Sequence, residues 1–240
     1  MQNPPSPESL KKEYEKLFGR DKRQSGSYLP RVRDFALATQ LLPMLPWRSR
    51  VLDIGSNFGQ TLRAMPPTYE LHGVELSKAA AEISKKFKRL NIQNEYIEKA
   101  AYQNKYFDFI MAVAVIEHLY EPMLFLKRIK ELIKENGTIL IMTGDYQSWN
   151  ASQLGEKWFL YHAVSHIHFF SHRSLIKALE ILGFRVTKTI WAGPSPFSSR
   201  LPPALGRAVH CSATSLLFPF IQGYKPYGDL MYVWSKSLTE

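Results

Sequence analysis

A chain of 240 residues that is 45% hydrophobic and 13% aromatic can build one large domain with a full core, and at 22% charged it is not a wholly disordered polymer. Its single cysteine, Cys211, excludes an internal disulfide framework and a Cys-rich zinc site. Thirty-one Lys and Arg against 21 Asp and Glu leave a net charge of +10, which favours anionic partners (nucleic acid, acidic headgroups, phosphorylated or carboxylated substrates) without choosing among them and suits a merely soluble basic enzyme equally well.

No apolar run approaches the ~20 residues of a membrane-spanning helix. The first thirty residues are polar and rich in Pro and Lys, without the apolar centre of a signal peptide, so the expected compartment is the cytoplasm. Residues 1–9 (MQNPPSPES) read as a disordered tail. Leu10 to Phe18 is a short charged helix, and Arg31 to Leu45 shows helical apolar spacing through Val32, Phe35, Leu37, Leu41 and Leu42, with Pro43 and Pro46 ending it. These make residues 1–46 an N-terminal tail and helical cap ahead of a main domain at 47–240.

Strands and helices then alternate. Val51–Ile54 is a short buried strand followed by a Gly-containing turn; Gln60–Met65 starts a helix stopped by Pro66-Pro67; Tyr69–Glu75 is a second strand. Ser77–Leu90 is a helix with Ser77 as its N-cap, and Glu95–Glu98 is the expected third strand. Phe107–Val113 is a fourth, almost wholly apolar and therefore covered on both faces. Pro122–Lys134 is a helix ended at Asn136-Gly137, and Thr138–Thr143 is a fifth strand. Such alternation argues a parallel sheet with helices on both faces. Beyond it come an aromatic-rich stretch at 145–165, a helix at Ser174–Leu182 closed by Gly183, a strand at Phe184–Trp191, a Pro-rich insertion at 194–226 and a last strand at Asp229–Lys236.

The sharpest motif is VLDIGSNFG at 51–59, a strand running into a turn and a helix at the carboxyl edge of the sheet, where open α/β sheets bind ligands. Gly55 lets a ligand approach the backbone, Gly59 permits close packing where the helix begins, and Asn57 is well suited to a left-handed turn position. Asp53 puts a carboxylate at the crevice, and Glu75, twenty residues past Gly55 at the end of the second strand, is placed to accept hydrogen bonds from ribose hydroxyls. A dinucleotide site wants G-x-G-x-x-G to cradle a pyrophosphate, but its second and third glycines would here be Asn57 and Gln60. S-adenosylmethionine carries no phosphate and needs no such cradle. A purely structural strand–turn–helix also fits.

Four stretches in order, VLDIGSNFG (51–59), GVEL (73–76), YFDFIMAVAVIEHLYEP (106–122) and LKRIKELIKENGTILIMT (126–143), resemble the class I S-adenosylmethionine-dependent methyltransferases. A fifth, HIHFFSHRSLIKALEILGFRV (166–186), resembles a bacterial subset containing quinone-type O-methyltransferases and surface-glycan enzymes. The resemblance implies a Rossmann-like, doubly wound seven-stranded sheet, mostly parallel with an antiparallel last strand, carrying N-terminal helices and a C-terminal insertion before that strand. It also implies S-adenosyl-L-methionine as cofactor. Asp53, Gly55, Ser56, Asn57 and Gly59 would line its methionyl end, Asn57 departing from the commoner Gly. Glu75 would bind the ribose, Leu76 would lie beside the adenine, Val113 and Ala114 would meet the amino-acid portion, and Glu98 to Ala101 would supply an adenine contact.

Methyl transfer is chiefly positioning, and a hydroxyl acceptor also benefits from a general base. His118, in Ile116-Glu117-His118, is one candidate; Tyr161, His162, His166 and His168 are others, of which His118, His166 and Tyr161 are the expected catalytic residues. His166 and His168 alternate along an extended segment and would share a face, while His172 belongs to a helix start. No carboxylate or cysteine stands at ligand spacing from them in the sequence, so no metal is expected. The aromatics Tyr146, Trp149, Trp158, Phe159 and Tyr161 either cover the sheet edge or cap the transfer site over a small-molecule, sugar or lipid-linked acceptor, with O-methylation the expected reaction. An RNA methyltransferase would suit the charge, but Val113-Ala114-Val115 is not the Pro-Pro-aromatic signature of adenine N6 enzymes and no separate RNA-binding module is visible, so nucleic acid is disfavoured. A Rossmann-type NAD-dependent reductase is disfavoured by the broken glycine fingerprint. In the 194–226 insertion, Leu201, Leu205 and Val209 repeat every four residues beside Arg200 and Arg207, which suggests either an insertion packed on the protein's own surface or a lid in peripheral contact with a membrane.

Overall fold

The computed structural model describes residues 45–162, 165–192 and 229–238, together with Ser6, Glu8, Ser9 and Lys12. The expected N-terminal helices, the 194–226 insertion, Cys211 and the side chain of His162 fall outside the described residues, save for Lys12 and Leu45. Seven strands, β1 (Arg50–Ile54), β2 (Glu70–Val74), β3 (Leu90–Gln93), β4 (Phe107–Val113), β5 (Ile133–Gly144), β6 (Phe184–Ala192) and β7 (Leu230–Ser237), form one sheet in the order β3-β2-β1-β4-β5-β7-β6. Pairings from β3 through β5 are parallel, and β7 runs antiparallel between β5 and β6. This is the expected Rossmann-like architecture. Strand order reverses between β1 and β4, which opens a crevice at their carboxyl ends.

Among the described residues from 45 onward, the α-helices are α1 (Gln60–Ala64), α2 (Lys78–Ser84), α3 (Pro122–Leu132), α4 (Trp149–Leu154) and α5 (His172–Ile181). Alternating strand residues feed two cores. Leu52, Ile110, Ile139 and Val233 pack with Phe125, Leu126 and Ile129 of α3 and with Leu175 and Leu179 of α5. Val51, Phe109, Met111, Leu140 and Trp234 pack on the other face with Leu62 of α1 and Ala81 of α2. Supplying both, β4 has Phe107, Phe109, Ile110, Met111 and Ala112 fully buried, as its unbroken apolar run requires. At the start of α5, Ser171 Oγ accepts from the Ser174 amide at 3.1 Å while Ser174 Oγ accepts from the Ser171 amide at 2.9 Å, a reciprocal cap.

Two elements differ from the sequence expectation. The third strand lies at Leu90–Gln93 rather than Glu95–Glu98, because α2 stops at Ser84 and the chain turns through Lys85–Arg89. Leu90 and Ile92 then alternate inward, a pattern masked in the sequence by counting Leu90 as the helix's last residue. Helix α3 ends at Leu132, so Ile133 already pairs with Phe107; the register then shifts, with Asn136 at φ 58°, before Thr138 pairs with Phe109. The Asn136-Gly137 turn signal therefore marks an irregularity within a strand. Among the described residues no helix is long and apolar enough to cross a membrane.

Candidate active site

The β1–α1 loop is shaped by its backbone. The amides of Gly55 and Ser56 both donate to the Val74 carbonyl, at 2.8 and 3.1 Å, and Gly59 donates to the Ser56 carbonyl at 2.8 Å. Gly55, Asn57 and Gly59 take φ values of 75°, 49° and 70°, left-handed positions for which Gly and Asn are the suited residues. A Cβ on Gly55 would stand 2.7 Å from Val115 Cγ2. Glu75, only 1% exposed, braces this loop: Oε2 accepts the Asn57 amide at 2.8 Å and Oε1 the Ser77 amide at 2.7 Å. Burial pushes its carboxyl above the usual range, and those two amides pull against that shift. This bracing role is one the sequence does not reveal.

A cavity of about 340 Å³ opens at the carboxyl ends of β1, β2 and β4. Of the residues expected around the cofactor, Gly55, Leu76 and Ala114 line it, while Asp53, Ser56, Asn57, Gly59, Glu75 and Val113 do not. Ala114 holds φ 55°, an uncommon value for a residue with a side chain, and its amide donates to the Met142 carbonyl at 3.0 Å. Of the stretch Glu98 to Ala101 only Glu98 reaches the cavity, preceded there by Glu95, Tyr96 and Ile97. Tyr120, Leu124 and Phe125, from the turn before α3 and its first residues, complete a largely apolar wall. Sequence reading missed these, since their i, i+4 and i+5 spacing straddles a turn and a helix start and carries no motif.

A second cluster of candidate residues begins at the tight turn Ile116–His118, shortly after β4. Glu117 is 6% exposed; its Oε2 accepts from Thr143 Oγ1 of β5 at 3.0 Å, and its carbonyl accepts the amides of Ile167 and His168 at 3.0 and 3.1 Å. The turn therefore pins the segment carrying the later histidines. His118 Nδ1 lies 2.9 Å from the Ser165 carbonyl, and His166 Nδ1 lies 3.0 Å from the Leu160 carbonyl. A carbonyl only accepts, so each Nδ1 carries its hydrogen and each Nε2 keeps its lone pair. The two rings are 4.8 Å apart. Burial lowers the pKa of both; for His118 the Ser165 carbonyl opposes it, and for His166 the neighbouring His118 adds to it while Glu117 and the Leu160 carbonyl oppose. Burial raises that of Glu117, against its backbone and Thr143 hydrogen bonds and the nearby His166.

His118 lines the cavity; His166 does not, but its ring stands beside that of His118. The other candidates part from them. His168 Nε2 turns to the Tyr120 carbonyl at 3.4 Å, so His166 and His168 engage different partners instead of acting as one face. His172 bonds Thr189 Oγ1 at 3.0 Å from the first turn of α5. Tyr161 packs edge-on against Trp158 and Phe169, at ring separations of 4.9 and 5.0 Å. The expectation of no metal rested on finding no carboxylate at ligand spacing, and the fold removes that premise: Glu117, His118 and His166 each offer a ligand atom, all within 4.8 Å of one another.

A buried aspartate ties the aromatic stretch at 145–165 to the sheet. Asp229, just before β7, accepts from Ser148 Oγ at 3.0 Å, Trp158 Nε1 at 2.8 Å and Asn150 Nδ2 at 2.9 Å, while its carbonyl accepts the Asp145 amide at 2.8 Å. Trp149, Phe159, Tyr161 and Phe169 are left exposed.

Comparison with known proteins places this geometry. A family model described as a methyltransferase domain matches residues 8–189. A SAM-dependent methyltransferase from Thermotoga maritima superposes with a TM-score of 0.64 at 20% identity, over 95% of this chain and 99% of that one. A SAM-dependent methyltransferase from Archaeoglobus fulgidus gives 0.60 at 18% identity, over 85% and 94%. No curated protein matches the chain significantly. With the model spanning most of the sequence, from before β1 into β6, the chain belongs to the methyltransferase-domain family and is an S-adenosyl-L-methionine-dependent methyltransferase.

Proposed function

We propose that this enzyme methylates a hydroxyl of a small-molecule, sugar or lipid-linked acceptor in the cytoplasm, with the acceptor entering past His118 and His166. The observation that carries this reading is the pair of imidazoles whose Nδ1–H groups are already spent on main-chain carbonyls. Their Nε2 lone pairs are left to take a proton, and burial keeps both rings neutral near pH 7.

The cavity fits the cofactor's chemistry. Its wall is largely apolar, as an uncharged adenine requires, and the bare Cα of Gly55 leaves a cradle that a Cβ would fill. Asn57 Oδ1 is buried with no hydrogen-bond partner in the protein, at the end expected to hold the methionyl group. Leu76, Tyr96 and Ile97 would enclose the adenine, Glu75 would hold the ribose with the lone pairs its two backbone bonds leave, and the loop at 55–59 with Ala114 would hold the amino-acid portion. When bound, S-adenosyl-L-methionine supplies an activated methyl group. The chain's own part is to orient the acceptor oxygen, exclude water and accept the hydroxyl proton at His118 Nε2, with the Ser165 carbonyl steadying the imidazolium and Glu117 nearby.

The exposed aromatics Phe159, Tyr161 and Phe169 suit a ring or lipid acceptor, and the net charge of +10 suits one bearing an anionic group such as a phosphate. Residues 194–226 would add peripheral membrane contact for a lipid-linked acceptor. The test is methyl transfer from labelled cofactor to a panel of hydroxylated acceptors. His118→Ala should lower turnover about 10²-fold or more while cofactor affinity in calorimetry stays within twofold. Wild-type turnover in that variant would overturn the base assignment.

A further inference from the structure

We propose that Glu117, His118 and His166 form a binding site for a divalent transition-metal cation, with its open position toward the acceptor. The inference deepens the hydroxyl-acceptor reading and rests on it for what the open position would hold. Three features of the cluster carry it.

The first is the composition of the cluster. One carboxylate and two imidazoles each offer a ligand atom, all within 4.8 Å of one another, with Glu117 buried and both rings half-buried. The second is how each group is held. Both imidazoles spend Nδ1–H on a main-chain carbonyl, Ser165 for His118 and Leu160 for His166, which fixes the ring and presents Nε2. Histidines that ligate metals are held in this way. Thr143 Oγ1 holds Glu117 Oε2, and the Glu117 carbonyl takes the amides of Ile167 and His168, so the carboxylate and the segment bearing His166 are fixed to each other through one residue.

The third is electrostatic. With both Nδ1 atoms engaged, the cluster gathers two Nε2 lone pairs and a carboxylate in one neighbourhood, three acceptors with no shared donor among them. A cation satisfies all three at once. Two ligands bound at ~2.1 Å in a tetrahedral shell stand about 3.4 Å apart, so seating the ion draws the widest pair of the trio together by roughly 1.4 Å, within reach of side-chain torsions. Mixed imidazole and carboxylate ligands suit Zn²⁺, Fe²⁺, Co²⁺ or Mn²⁺, whereas Mg²⁺ prefers an all-oxygen shell.

Three protein ligands leave a coordination position open. His118 lines the cavity assigned to the methyl donor, so an acceptor held at that position would stand beside it. It would bind the acceptor hydroxyl oxygen, and the bound hydroxyl would release its proton to water. The same imidazoles serve as proton acceptors in the metal-free protein and as ligands in the loaded one.

The experiment uses the full chain, stripped with a chelator. Zn²⁺ is titrated by calorimetry and Co²⁺ by visible absorption, with Mg²⁺ for contrast, on wild type, Glu117→Gln, His166→Ala and Thr143→Val. Cofactor affinity on the same samples checks that each variant is folded. The expected result is one equivalent of Zn²⁺ and of Co²⁺ in wild type. Affinity should fall about 10²-fold or more in Glu117→Gln and His166→Ala and about 10-fold in Thr143→Val, which acts only by positioning the carboxylate. Sub-stoichiometric uptake by wild type, or equal affinity in Glu117→Gln and His166→Ala, overturns the site. Hydroxyl methylation by a protein that binds no cation refutes the metal and leaves the base reading standing. Stoichiometric uptake abolished by Glu117→Gln, in an enzyme that methylates only nitrogen acceptors, supports the site and refutes the hydroxyl reading.

Discussion

Replacing Glu75 separates a bracing role from a ribose-binding one. Its two oxygens hold the amides of Asn57 and Ser77 at 2.8 and 2.7 Å, and the residue is 1% exposed. Hydrogen bonds to a charged group contribute about 1.5–3 kcal/mol each, and an unpaired buried amide costs about 1–3 kcal/mol. Glu75→Ala removes both bonds and orphans both amides. The upward push that burial gives this carboxyl shows that its ionised form pays a desolvation cost, and the variant recovers that part. A net loss of about 2–4 kcal/mol is expected, a large share of the roughly 5–15 kcal/mol that holds a domain together. Glu75→Gln keeps one acceptor oxygen, so stability should rank wild type, Gln, Ala in urea melts. Calorimetry with S-adenosyl-L-methionine then divides the roles: a Gln variant of near-native stability that binds cofactor at least 10-fold more weakly identifies a ribose contact. If Glu75→Ala unfolds within about 0.5 kcal/mol of wild type, below the value of even one such bond, the brace does not exist.

Gly55→Ala puts a methyl 2.7 Å from Val115 Cγ2 at φ 75°; strain of about 1–2 kcal/mol and at least 10-fold weaker cofactor binding should follow, read by urea melts and calorimetry. Because His118 and His166 are held neutral below their ordinary 6.5, the unfolded chain takes up protons first as the medium is acidified. Stability should therefore be fully present above about pH 6.5 and fall as pH drops toward the folded values, with His118→Gln flattening the fall in urea midpoints between pH 7.5 and 5.5. Asp229→Ala strips the acceptor from Ser148, Asn150 and Trp158 and should cost about 3 kcal/mol or more, with a red shift of Trp158 fluorescence as water reaches its ring.

Local chemistry was readable where it is local. The unbroken apolar run of β4, the left-handed positions at Gly55, Asn57 and Gly59, and the family of motifs around them all follow from residue type and short spacing. What escaped is tertiary. Nothing in the sequence says that Glu75 turns its carboxylate to the loop amides, or that Glu117 is brought to His166 from a distant segment. Leu90 was misread because a helix-spaced apolar residue and the first inward residue of a short strand look alike until α2 is seen to stop at Ser84. Tyr161 carried the right chemistry for a base, but the packing of Trp158 and Phe169 decides where its ring lies.

The antiparallel insertion of β7 between β5 and β6 sets an order of assembly. On the ribosome, β1 to β5 and the cofactor crevice can form from chain already made, but β6 has no neighbour to pair with until β7 emerges. Asp229, at the threshold of β7, also supplies the hydrogen-bond acceptor for Ser148, Asn150 and Trp158 of the 145–165 stretch. The Leu160 carbonyl that orients His166 belongs to that stretch. A nascent chain would thus complete the crevice at β1, β2 and β4 well before the 145–165 stretch and the His166 ring find their last partners, and the sheet closes only when β7 is made.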